Sequence, residues 1–330
     1  MPTDALRPIR LGDWELHPVG LEDRPLFEKY IRRTEYHADL WSSNFAYIWS
    51  TSRPSSRKMW AMVDGMLVPF LYSSKGSLYL FCLPFGPGGP ARVTEVTRRC
   101  LHRCRAFNGG DPDRTLVRMV NAGQLKFLRR CPEFDRYFRI VPWEGIEQHY
   151  DVPKLSALVG REFANIRNRV NKFARENPGF TLDPYRDSDF DELLRLSQRW
   201  KATSGVKYAT VFDGHYFREL LIHGTQLGQT TLVLRTNGRV AGMVAGSPLP
   251  TGQSWGSVVK FDTGYPGLSE TLIVEFARYL HRLDPAIRLM NVGSDLGSGG
   301  LRGYKLKFQP ALSYKRYQIY FRRGAAAERS

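Results

Sequence analysis

No stretch of the chain is apolar for long enough to cross a bilayer, which takes about 20 consecutive residues. The first residues, Met1-Pro-Thr-Asp-Ala-Leu-Arg7, lack the basic-then-apolar run of a secretory leader. A cytosolic protein is therefore expected, touching a membrane only from outside, at its inner face. Cysteine is scarce: the four stand at 82, 100, 104 and 131, and only Cys100 and Cys104 would share a helix face. Without Asp, Glu or His at ligand spacing that pair is a poor metal site, so reduced thiols and no bound metal are expected. The seven histidines, at 17, 37, 102, 149, 215, 223 and 281, share no motif, which removes support for a histidine triad or a zinc centre.

What the chain has is cation. Lys and Arg number 48 against 32 acidic residues, a formal charge of +16. Such a field attracts polyanions, RNA or a surface rich in anionic lipid, although solubility alone would also account for it. Hydrophobic residues make up 42% of the 330 and charged residues 24%, the balance of a globular protein with a sizeable core. At this length two domains are expected.

Two segments read alike. In the first, strands on either side of Asp64-Gly65 form a hairpin, because Asp-Gly favours the primed turns that suit twisted strands. A strand from Ser77 to Leu83, the turn Phe85-Gly-Pro-Gly-Gly-Pro90, a helix from about Val93 to Phe107 and a strand ending at Asn121-Ala-Gly123 follow. In the second, a hairpin turns at Asn237-Gly238, then come a strand from Ser254 to Phe261, a Gly/Pro turn at Gly264-Tyr-Pro-Gly267, a helix from about Ser269 to Leu283 and a strand ending at Asn291-Val-Gly293. The offset of about 170 residues suits duplicated domains rather than a solenoid. The halves are placed at 1–150 and 151–330.

Between the copies, Phe163, Ile166, Val170 and Phe173 form the apolar stripe of a helix that Asn177-Pro-Gly179 stops. Arg161, Asn165, Asn168, Lys172 and Arg175 are expected opposite it, as a solvated face or an anion-binding one. A helix from about Ser188 to Trp200 is expected to bury Phe190, Leu193, Leu194 and Trp200. The last strand, Ser313 to Phe321, alternates two faces, one markedly more basic and aromatic.

One segment stands apart: Asn291-Val-Gly-Ser-Asp295-Leu-Gly297, then Gly300-Leu-Arg302-Gly-Tyr304-Lys305-Leu-Lys307-Phe308-Gln-Pro310. A glycine-broken loop that delivers Asp, Arg and two Lys close together suits an anionic ligand. The same charges would equally make an ion-pair network that pins the loop.

Helix, hairpin, longer strand, turn, helix and strand is the element order of the acetyltransferase-like (GNAT) α/β fold, here in tandem, with mixed and mostly antiparallel sheets flanked by helices. The segment Leu155 to Phe173, with Gly160-Arg161, Arg167-Asn168 and Asn171-Lys-Phe173, resembles the C-terminal domain family of phosphatidylglycerol lysyltransferase, as does the 291–310 segment. The helix Phe27 to Arg33 and Asp39-Leu-Trp-Ser-Ser-Asn-Phe-Ala-Tyr-Ile-Trp49 also look like that family's opening. The resemblance spans about Leu11 to Phe321. It implies two packed GNAT-like folds and transfer of an aminoacyl group from aminoacyl-tRNA to a lipid hydroxyl or another nucleophile. The chain lacks the membrane-spanning flippase portion of the lipid-modifying enzymes, which leaves the acceptor open.

For such a transfer the ester carbonyl must be polarised, the leaving ribose oxygen protonated and the nucleophile held in reach. The resemblance assigns Lys305 to stabilising the oxyanion or donating a proton, and Arg302 to clamping a phosphate of lipid or tRNA. Asp295 would orient Arg302 or pair with the donor's ammonium, and Asn291 would hydrogen-bond the acceptor. Lys307, Arg161, Arg167 and Asn168 are candidate phosphate contacts. No cofactor is expected, with aminoacyl-tRNA as donor. A coenzyme A thioester is the alternative, but both Gly/Pro turns lose N–H donors to proline, and Asp262 would repel a pyrophosphate. A non-catalytic module for RNA or anionic lipid is the other alternative.

Overall fold

The computed structural model describes residues 7–37, 41–203 and 214–322. Asp39 and Leu40, at the head of one resembling segment, lie outside them, as do the first six residues and the side chain of His215. The chain divides into two compact units: 1–144 with 314–330, and 145–313.

In the first unit, the described part opens with β1 (Ile9–Leu11), β2 (Trp14–Pro18), α1 (Arg24–Arg32) and α2 (Phe45–Ser50). Then come β3 (Ser56–Val63), β4 (Met66–Ser73), β5 (Leu78–Leu80), α3 (Pro90–Phe107), β6 (Leu116–Asn121), α4 (Ala122–Leu128) and α5 (Phe134–Tyr137). The chain passes through β7 (Phe138–Asp151) into the second unit: α6 (Val152–Ala157), α7 (Ala164–Glu176), β8 (Thr181–Pro184), α8 (Phe190–Thr203) and α9 (Gly214–His223). It continues with β9 (Thr230–Thr236), β10 (Arg239–Pro248), β11 (Ser254–Phe261), α10 (Leu268–Leu283), β12 (Leu289–Ser294) and α11 (Gly299–Leu306), and closes with β13 (Leu312–Phe321).

Each unit repeats one topology. Strands run β2-β3-β4-β5-β6-β13 in the first and β8-β9-β10-β11-β12-β7 in the second. All neighbours within a unit are antiparallel except β5 with β6 and β11 with β12. A parallel pair needs a crossover, which α3 and α10 provide. The hairpin turns behave as read, with Asp64 and Gly65 at φ 48° and 73° and Asn237 and Gly238 at 50° and 74°.

The repeat is thus a tandem GNAT-like fold with one exchange. Tyr317 pairs with Val120 and Tyr320 with Leu116, so the last strand belongs with the first unit, whereas the division at 150/151 assigned it to the second half. Counting strands along the chain does not expose this, because the strand that follows β6, β7, pairs in the second unit, while the one that follows β12, β13, pairs in the first.

Local departures have physical causes. The strand expected over 77–83 shortens to β5, because Phe85 turns back to bridge Leu67. Along β13 the alternation breaks between Tyr317 and Ile319, so Arg316, Ile319 and Phe321 are the buried residues. In α8 the buried pair is Leu193 and Leu196, with Phe190, Leu194 and Trp200 half-buried. Arg161 precedes α7, because Leu158 and Gly160 take left-handed φ and break the run after α6.

The second unit's core gathers Tyr150, Leu155, Phe163, Ile166, Phe173, Leu272, Phe276 and Phe308. Strand β10 meets α10 across two glycines: a Cβ at Gly242 would stand 2.8 Å from Leu272 Cδ1, and one at Gly246 2.6 Å from the Phe276 ring. Side chains there would push the helix off its sheet.

Candidate active site

The segment that stood apart in the sequence is a strand end, a turn and a helix. Strand β12 ends at Ser294, Gly293 and Gly297 take φ of 76° and 74°, and the Ser298 side chain caps α11. Leu301 and Tyr304 share one face of that helix, and Phe308, just past its end, meets the Tyr304 ring at 5.4 Å. Phe308 is buried against Tyr150 at 5.2 Å, and the Tyr150 hydroxyl donates to the Lys305 carbonyl at 3.1 Å.

Lys305 is buried, and its ammonium donates to the carbonyls of Val292, Gly293 and Ser294 at 2.6, 2.9 and 2.9 Å. Three charge-assisted bonds match its three protons. The lysine therefore clamps the end of β12. To stabilise an oxyanion or give up a proton it would first release one of these carbonyls.

Asp295 is fully buried. One carboxylate oxygen accepts from the Ile146 and Gly297 N–H groups at 3.0 and 3.1 Å, the other from Arg302 Nε at 2.6 Å. Burial pushes this carboxyl up, but the bonds from Arg302, Ile146 and Gly297 outweigh it and hold the pKa below its ordinary value. Arg302 is raised in turn by the same bond and keeps much of its guanidinium in solvent. Asn291 is buried: its amide donates to Glu147 at 2.9 Å and its oxygen accepts from Gly293 N–H at 2.7 Å.

The remaining candidates divide. Arg167 donates to the carbonyls of Leu158 and Gly160 at 2.7 and 3.2 Å, closing the end of α6. Lys307 is exposed, 5.7 Å over the Tyr304 ring, and Arg161 and Asn168 are exposed as well. Gln309 reaches the Glu162 carbonyl at 3.5 Å, which places the end of α11 beside Arg161. The structure thus brings Asn291, Asp295, Arg302 and Lys305 into one bonded turn, with Lys307 and Arg161 near its exposed side.

Sequence reasoning missed the partner strand. Gly145 (φ 93°) lies so close that a Cβ there would meet Ser294 Oγ at 2.1 Å, and Glu147 pairs with Ser294 in β12. The readable signal was the run Glu147-Gln-His149, three polar residues at a strand end, all buried here.

The two Gly/Pro turns are filled by the chain itself. In the first, Gly86 N–H donates to Thr34 Oγ1 and Gly88 N–H to the Glu35 carboxylate, both at 2.9 Å. In the second, Gly264 N–H donates to the Asp262 carboxylate at 2.9 Å. Glu270, buried in the first turn of α10, lies 3.4 Å from Arg169 and accepts from Ser269 Oγ. Glu35 takes an N–H just before α3, Asp262 takes one in the turn before α10, and Glu270 stands in the first turn of α10, each a negative charge where a pyrophosphate would have to sit.

The architecture defines the class: a tandem GNAT-like, aminoacyltransferase-like fold. Among solved structures, a conserved protein of unknown function from Bacteroides thetaiotaomicron superposes with TM-score 0.80 at 21% identity, covering 93% of this chain and 99% of its own. The L-PGS of Bacillus licheniformis superposes with TM-score 0.62 at 17% identity, covering 93% of each chain. A tandem GNAT protein from the clavulanic acid biosynthesis pathway gives 0.52 at 12%, covering 94% and 98%. The family described as phosphatidylglycerol lysyltransferase, C-terminal, matches residues 38–320, and the chain belongs to it. No curated protein matches the sequence. Among the described residues no helix is long and apolar enough to cross a membrane.

Proposed function

We propose that the protein is an aminoacyltransferase that takes its acyl group from aminoacyl-tRNA and passes it to a hydroxyl or another nucleophile, a phospholipid headgroup being the first acceptor to test. The carrying observation is the set of carboxylates at the two Gly/Pro turns, Glu35 and Asp262 on turn N–H groups and Glu270 in the first turn of α10, whose charge disfavours the coenzyme A pyrophosphate and supports the tRNA ester as donor. Arg302, fixed by Asp295 yet solvent-facing, clamps a phosphate, and Lys307, Arg161 and Asn168 extend that cationic side. Lys305 and Asn291 are positioning residues: they fix the backbone of 291–295, against which the ester is oriented. The protein then acts in the cytosol or at the inner face of the membrane.

The test offers tRNA charged with a labelled amino acid, with phosphatidylglycerol vesicles or hydroxylamine as acceptor. Labelled product, lost in Arg302→Gln, supports transfer. Acetyl transfer from acetyl-coenzyme A, or a melting temperature raised by coenzyme A but not by aminoacyl-tRNA, supports the acyl-CoA reading instead. The full engagement of Lys305 favours a second reading, a module that binds RNA or anionic lipid without chemistry. Its signature is salt-dependent binding with no labelled product.

A further inference from the structure

The first unit holds the larger cationic excess, 27 Lys and Arg against 16 acidic residues, compared with 21 against 16 in the second. Part of that excess is buried. Lys58 on β3 is 4% exposed, although a lysine is almost never fully buried without a partner of opposite charge. Among the described residues its ammonium has long contacts alone, to the Thr51 carbonyl at 3.4 Å and Ser56 Oγ at 3.5 Å, and lies 4.9 Å over the Phe81 ring. Burial, and after it the positive charges of Arg118 and Arg53, bring its pKa down to about 7. Ser50 Oγ, one residue before Thr51, is buried without a hydrogen-bond partner among the described residues.

Strand register explains why these groups meet. Lys58 pairs with Leu71 and Leu71 with Tyr79, so the three project from one face of the sheet. Leu80 pairs with Val117, which puts Tyr79, Phe81 and Arg118 on that same face, and Arg118 donates to the Tyr79 hydroxyl at 3.1 Å. Arg53 comes from the tight bridge Arg53–Ser56 that leads into β3. Arg118 and Arg53 are half-exposed and mark the open side of the cluster. The opposite face, with Met59, Phe70, Leu80 and Val117, is the dry core.

We propose that Lys58, Arg118 and Arg53 form a site in the first unit for a phosphate group, free or carried by a small organic ester, with Tyr79 and Phe81 beside it. A dianion neutralises the mutual repulsion of three cations and accepts from all of them, as a singly charged carboxylate does less well. The site lies outside the 291–307 turn and does not rest on the transfer reaction.

Calorimetry and thermal melts in phosphate- and sulfate-free buffer test it, with inorganic phosphate, glycerol 3-phosphate and vesicles of phosphatidylglycerol as probes. Inorganic phosphate should bind and raise the melting temperature, with binding lost in Lys58→Met and weakened at least tenfold in Arg118→Gln. Arg53→Gln, at the exposed rim, keeps the test valid if a buried variant fails to fold, and should weaken binding severalfold. A tighter ester than free phosphate identifies a headgroup or metabolite as the source, while equal affinity identifies the free anion. Both support the site. Absence of phosphate binding overturns it. So does binding untouched by these variants but lost on changing Lys126, Arg129 and Arg130, which line an open cavity of about 340 Å³.

Discussion

Two strands of this protein carry Asn-x-Gly at or near their ends, and the chain treats them differently. At the end of β6, Asn121 caps α4 at once: its oxygen accepts from Gln124 N–H at 2.8 Å and the Gln124 side chain returns the bond. Asn291, inside β12, caps no helix. Its amide goes to Glu147, its oxygen to Gly293, and the turn before α11 is held by two buried charges, Asp295 and Lys305. A reciprocal cap satisfies a helix end with neutral groups. Burying charge for the same purpose is costly unless every bond is made. The second turn therefore carries an arrangement that stability alone does not require, and it is the one that presents a guanidinium to solvent.

Substitutions sharpen that contrast, the largest effect first. Lys305→Met leaves the carbonyls of Val292, Gly293 and Ser294 without their charged donor, and a loss of about 3–5 kcal/mol is expected by denaturant unfolding. No residue at the β6 end should approach that. Asp295→Asn should cost about 2 kcal/mol, since it weakens charge-assisted bonds from Arg302 and two N–H groups. Because the folded pKa of Asp295 is lowered, its contribution is present above the ordinary value of 3.8 and lost as pH falls through the lower folded one. Acid titration of unfolding should show that loss in the wild type and not in Asp295→Asn, with no pH dependence from this group between pH 5 and 8. Asn121→Ala should cost about 1 kcal/mol, an ordinary cap loss, with transfer unchanged. Asn291→Ala should cost more than that and reduce transfer. Lys307→Ala, exposed, should stay within about 0.5 kcal/mol in stability, and any effect on RNA or lipid binding should appear as a shallower salt dependence.

Much of this was legible. The Asp-Gly and Asn-Gly hairpins, the crossover helices and the 170-residue offset led to the tandem fold, because turn chemistry and hydrophobic period are local properties. The return of β13 to the first unit was not, since pairing partners are set by tertiary packing. The turn at 291–298 was located by its composition, yet the direction of Lys305 was hidden. Gly299, Gly300 and Gly303 suggested a loop, while Leu301, Tyr304 and Phe308 already carried a helical spacing that turns Lys305 inward. Glu147, more than 140 residues away, became a partner of Asn291 only through strand register.

The most direct measurement is single-turnover transfer of a labelled amino acid from its tRNA to hydroxylamine or phosphatidylglycerol, comparing wild type with Arg302→Gln and Asn121→Ala. The account predicts labelled product with wild type and Asn121→Ala, and a loss of at least tenfold with Arg302→Gln in a folded protein. Equal product from all three, or acyl transfer only from coenzyme A, would contradict it.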